Sequence, residues 1–222
     1  MKRTLSLAAV ALLCTAVQLS AQDAKMSFFL TSVGPGNGAD LGGLAGADAH
    51  CATLAEAAGI TGKSWHAYLS TAGEHGENAR DRIGDGPWFN FEGVMVAQDV
   101  TNLHSEDNNL TKATVLDEAG HMVNGRGDDP NRHDILTGSN LDGTTFATGT
   151  DTPCGNWTRS DSAGTARVGH FDRTGGGDNP TSWNSAHSSR GCSQEDLRGS
   201  GGDGLVYCFA VDAAEGGAFK ED

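Results

Sequence analysis

Basic residues are scarce in this chain. Fifteen Lys and Arg stand against 29 Asp and Glu in 222 residues, a formal charge of −14. Nucleic acid and anionic lipid both call for a basic face, so the imbalance argues against either as a partner. Aromatic residues are few, at 6%, and the hydrophobic share is 37%. Beyond residue 21 no run is apolar enough to span a membrane, so no membrane insertion is expected. Several catalytic signatures are missing too. There is no Gly-x-Ser-x-Gly elbow and no twelve-residue EF-hand loop. The Gly-rich segments 34–38 and 175–177 do not follow a strand and open a helix as a phosphate loop does, so no nucleotide cofactor is indicated.

Glycine, by contrast, is abundant. The count is 32, about twice the usual share of roughly 7%. That favours a loop-rich and turn-rich domain over a helical bundle. A three-residue Gly period is lacking, which excludes a collagen triple helix. Residues 1–21 read as a secretory signal peptide: Lys2 and Arg3, an apolar run over 5–17, and Leu19-Ser20-Ala21 as the cleavage site. A lipoprotein reading through Cys14 fails on Leu13, which stands where a small residue should precede the lipidated cysteine. Loss of Lys2 and Arg3 with the signal would take the charge from −14 to −16. A single domain is expected over 22–212, with 213–222 as a flexible tail. The expected location is secreted: periplasm, cell surface or medium.

Four cysteines follow the signal: Cys51, Cys154, Cys192 and Cys208. An even number in an exported chain implies disulfides, and four cysteines allow three pairings. None has the close spacing of a zinc knuckle. Strands are expected over 27–33, 64–70, 94–96, 114–116, 156–158, 166–168 and 205–211, and a helix over 47–58 that Gly59 stops. In the 64–70 strand Trp65, Ala67 and Leu69 would face inward, His66 and Tyr68 outward. Residues 74–82 read as a short helix, and 117–120 as a hairpin turn.

Several segments resemble a known family when taken in order. They are Gly46-Ala47-Asp48-Ala49-His50-Cys51, then Gly62-Lys63-Ser64-Trp65-His66-Ala67-Tyr68-Leu69-Ser70, then Thr137-Gly138-Ser139-Asn140-Leu141-Asp142-Gly143. Cys154-Gly155-Asn156-Trp157-Thr158, Gly191-Cys192 and Tyr207-Cys208-Phe209 complete the set. This order resembles the endostatin-type domain of collagens and its bacterial relatives, within the C-type-lectin-like superfold. The resemblance implies an α+β fold with short helices, a small mixed or antiparallel sheet, a long loop-rich region and two disulfides. It also implies the pairing Cys51–Cys208 and Cys154–Cys192. Endostatin-type domains meet heparin-like polyanions through a basic face; a chain this acidic should repel them. Calcium-dependent lectins hold calcium and sugar with a Glu-Pro-Asn type and a Trp-Asn-Asp triplet. Asp129-Pro130-Asn131 and Trp183-Asn184-Ser185 are similar to these, although the second lacks its final acid.

Ligand-type residues crowd the loop half. His133, Asp134, His170, Asp172 and His187 could share a site if the loops converge, and imidazoles with a carboxylate suit zinc or another borderline ion. Oxygen-rich turns suit calcium instead. Trp88 and Trp183 lie in polar loops, where an exposed ring would stack on a sugar. The expected binding residues are thus Trp88, Asp129, Asn131, Trp183 and Asn184, with calcium or zinc as cofactor. The leading reading is a secreted binding module, favoured over an enzyme, that recognises a glycan, a surface polymer or an envelope or extracellular protein. Two others stand beside it: a metal-dependent hydrolase with Asp134 or Glu106 as base, and a structural envelope or matrix component.

Overall fold

The computed structural model describes residues 25–146 and 153–211. The expected signal peptide over 1–21 and the expected tail over 213–222 lie outside the described residues. In chain order the elements are β1 (Phe28–Leu30), α1 (Gly43–Ala57), β2 (Trp65–Ala67), α2 (Ala79–Arg82), β3 (Trp88–Phe89), β4 (Met95–Ala97), α3 (Val100–Leu103), β5 (Asp134–Leu136), α4 (Cys154–Trp157), β6 (Arg167–His170), β7 (His187–Ser188), α5 (Gln194–Ser200) and β8 (Tyr207–Ala210). The architecture is mixed α+β, with short helices and small antiparallel sheets. None of the described helices is long and apolar enough to cross a membrane.

The central sheet runs β1-β8-β2, so the first and last strands pair, with Phe28 opposite Phe209 and Leu30 opposite Tyr207. Apolar residues alternate along β8 and are buried on both faces. Cys208 and Ala210 join Phe29, Trp65 and the helix residues Ala47, Cys51 and Ala55. Tyr207 and Phe209 join Phe28, Trp88, Phe171 and Trp183 beneath the loop half. The loops therefore form the second layer of the core. This corrects the reading of residues 64–70 as half-buried: Tyr68, expected outward, is fully buried, with its ring 4.8 Å from that of Trp183.

α1 begins four residues before the expected start, and Ala47, Cys51 and Ala55 form its buried stripe. Gly59 ends it at φ 87°, a value that strains any other residue. Its N–H donates to Glu56 O at 2.9 Å and that of Ile60 to Ala55 O at 2.9 Å, the paired closure of a Schellman motif. Cys51–Cys208 staples this helix to β8, and Cys154–Cys192 staples α4 to the entrance of α5. The resemblance implied both pairings.

The 156–158 strand is not formed. α4 is a single left-handed turn, with φ of 49°, 62°, 55° and 69° at Cys154, Gly155, Asn156 and Trp157. Side-chain sterics disfavour this hand, so it persists only where outside contacts fix it. The Cys154 disulfide is one such contact. Trp157 Nε1 donates to Ser70 O at 2.9 Å, and Asn156 brackets Ala72 through its N–H at 2.8 Å and its carbonyl at 3.1 Å. Residues 114–116 also form no strand; Leu116 makes one isolated bridge to Met122 across the 117–120 turn. Sequence reading missed α5, although Ser193 with Asp196 three residues later is a helix-start signal; Ser193 Oγ accepts from Asp196 N at 3.1 Å.

β5, β6 and β7 form a second antiparallel sheet, in which Asp134 stands opposite His170 and Val168 opposite His187. Residues directly opposite, or two apart along a strand, share a face. Asp134, His170 and His187 are thereby placed on one face at one end of the sheet.

Candidate metal centre

Three imidazoles surround one carboxylate oxygen at that sheet end. Asp134 Oδ1 lies 3.2 Å from His133 Nε2, 3.3 Å from His170 Nε2 and 3.4 Å from His187 Nε2. His133, Asp134 and His170 are buried, and their ligand atoms all lie within 4.8 Å of one another, so this group can hold a metal ion. His187 approaches the same oxygen from the more open side, with a side chain 24% exposed, and lies outside that mutually close group of three. The close approaches are not hydrogen bonds. Both oxygens of Asp134 and Nε2 of His170 are buried without a hydrogen-bond partner among the described residues. Burying such groups unpaired costs several kcal/mol each by order of magnitude, unless a metal or proton takes the lone pairs.

Each imidazole is held from its other nitrogen. His133 Nδ1 donates to Asp172 Oδ1 at 3.2 Å, His170 Nδ1 to Pro180 O at 2.8 Å and His187 Nδ1 to Ser188 O at 3.0 Å. With the proton on Nδ1, each Nε2 keeps its lone pair free on the side of the ring nearest Asp134, and holding the other ring nitrogen in this way is how metal-ligating histidines are fixed. Asp172 is fixed in turn by N–H groups of Arg126 at 2.6 Å and Thr174 at 3.2 Å. Glycines leave room for the rings. A Cβ on Gly175 would lie 2.2 Å from His170 Cε1, and one on Gly177 would lie 2.7 Å from His187 Cβ. Rings of His133 and His170 stack in parallel, 4.4 Å between centroids.

Electrostatics follow from this packing. Burial pushes the Asp134 carboxyl pKa up, but the imidazoles of His170, His187 and His133 outweigh it and the net shift is down. The same holds for Asp172: burial raises it, while His133 and the Arg126 N–H bring it down to about 2. His187 moves the other way, raised by the carboxylate of Asp134 against the effect of burial. The centre opens on a cleft of about 450 Å³, whose floor includes His133, His170 and His187.

The five metal-type residues named from sequence thus converge, four around one point and Asp172 behind His133. The expected sugar-binding set does not. Trp88 is buried edge-on against Phe209, ring centroids 5.2 Å apart, and Trp183 is buried with Nε1 donating to Leu103 O at 3.1 Å. Neither offers a ring face to a ligand, because the sparse aromatic residues of this chain are spent on its core. Asn184 is likewise internal. Its Nδ2 donates to Tyr68 Oη at 3.0 Å and to the carbonyls of Asn140 and Leu141 at 3.0 and 3.2 Å. Asp129 and Asn131 line a neighbouring cleft with Arg132, Arg198 and Asp203, Asn131 also bordering the cleft over the histidines, whereas Trp183 and Asn184 border a third, beside His104. The two lectin-like triplets are therefore not joined into one site. Glu106, the alternative base, is paired with Arg173 at 3.3 Å and stands away from the histidines. Positioning groups such as Pro180 O and Gly175 went unread in the sequence, since a carbonyl and an absent side chain carry no residue-type signal.

No protein-family model and no curated protein matches this chain.

Proposed function

We propose that this protein is an exported, disulfide-stapled recognition module of C-type-lectin-like fold, built around one zinc ion. The ion would be held by His133, Asp134, His170 and His187. One observation carries the reading: three imidazole Nε2 atoms stand 3.2–3.4 Å from a single carboxylate oxygen that has no hydrogen bond. Atoms bound about 2.0–2.1 Å from a tetrahedral ion are roughly 3.3–3.4 Å apart, and the three separations from Asp134 Oδ1 have that length. Three nitrogens and one oxygen suit zinc, and they do not suit calcium, which takes six to eight oxygens.

Export is supported by the reading of residues 1–21 and by two disulfides, which persist in oxidising compartments. We favour binding over hydrolysis on the groups available to act as base. Asp134 is committed as a ligand, and the described cleft lining holds no carboxylate placed to act as base. A loop-rich face on a stapled scaffold suits recognition.

Cobalt substitution tests the reading. The Co²⁺ form should show the intense visible absorption of a four-coordinate ion, with one equivalent bound per chain, and His170→Ala should abolish it. A weak six-coordinate spectrum, or binding unchanged by His170→Ala, would refute this centre.

A further inference from the structure

Nine arginines lie among the described residues, and seven of them make an ion pair within 4.0 Å: Arg80, Arg82, Arg132, Arg159, Arg167, Arg173 and Arg198. In a chain with twice as many acids as bases this is expected, since carboxylates are everywhere at hand. The remaining two, Arg126 and Arg190, have no acidic partner among the described residues. Both are exposed, and both line the same cleft over His133, His170 and His187. Asn131 and Ser188 add neutral polar side chains to that lining, and among the described residues it contains no carboxylate. Asp134 lies beneath the imidazoles, 2% exposed. An acidic molecule has here a local patch of inverted charge.

We propose that this cleft binds a dianionic phosphate group, free or as a small monoester, clamped between Arg126 and Arg190 above the metal centre. The inference rests on the metal reading given above. Charge balance selects the ligand. A divalent ion with the Asp134 carboxylate leaves one positive charge, two guanidiniums add two, and Asp172 removes one. The balance of two matches a phosphate dianion. Geometry agrees, because planar guanidiniums pair with two oxygens of a tetrahedral anion and a four-coordinate zinc can expand to admit a fifth donor. The negative field of the rest of the chain screens the cleft against polyanions, so a small ligand is favoured over a phosphate polymer.

The test is calorimetric titration of the zinc-loaded protein with inorganic phosphate, with zinc content measured on the same sample. One phosphate should bind per chain. Arg126→Gln and Arg190→Gln should each weaken it about tenfold or more while zinc content stays at one. In the cobalt form the ³¹P resonance of phosphate should broaden sharply, which places the anion beside the ion. Dimethyl phosphate, a monoanion, should bind far more weakly. Absence of phosphate binding by protein that retains one zinc would overturn this proposal and leave the metal reading standing. Binding indifferent to both arginine substitutions, or equal binding of dimethyl phosphate, would also overturn it. A sample that takes up no zinc would refute the metal reading, and this one with it.

Discussion

A methyl group on Gly175 would meet the His170 ring at 2.2 Å, whereas one on the neighbouring Gly176 would meet nothing within 4 Å. Two adjacent glycines therefore make a controlled comparison at the scale of single atoms. Gly175→Ala should lower zinc affinity by about tenfold or more, as loss of outer support around a ligating histidine does. Gly176→Ala should leave it unchanged in the same chelator competition. Equal affinities in the two variants would show that the His170 ring position does not set metal binding. At this scale the sequence was partly legible. His133, Asp134, His170, Asp172 and His187 declare themselves by residue type, because imidazole and carboxylate are what metals take. The tryptophans misled for a physical reason: polar neighbours in sequence say little about a loop that folds over a sheet and becomes the far side of the core.

Elements of two to four residues place the centre, and these carry almost no periodic signal. β5 has three residues and β7 two, too few for alternation to be read, yet their register is what puts Asp134 beside His170 and His187. Longer features were legible: the stripe of α1, the Gly59 stop and the final strand. Where short elements meet, polar links do the joining. Tyr68, just past β2, hydrogen-bonds His104, just past α3, at 2.7 Å, and His104 Nδ1 reaches Val100 O at 2.7 Å. Burial lowers the His104 pKa below its ordinary 6.5. The folded state thus holds the neutral ring, and the unfolded chain takes a proton first as pH falls. Stability from this link is fully present above about pH 6.5 and is lost as pH drops toward the lower folded value. In metal-free protein the urea midpoint should therefore fall more steeply from pH 7.5 to 5.5 in wild type than in His104→Gln. Parallel curves would mean that His104 is not buried as the neutral ring.

Across the whole molecule, modest apolar content is offset by covalent closure. The two disulfides close spans of 157 and 38 residues, worth about 5 and about 4 kcal/mol as chain-entropy upper figures. They hold the helix layer to the central sheet and α4 to α5, and neither reaches β5, β6 or β7, where the proposed metal would act. The central claim is that His133, Asp134, His170 and His187 together hold one zinc ion. Metal content decides it most directly, measured by plasma mass spectrometry on protein purified without a metal-affinity tag, with and without prior chelation. The account predicts close to one zinc per chain, removed by strong chelator and restored by added zinc. No transition metal after zinc loading, or one calcium in its place, would contradict it.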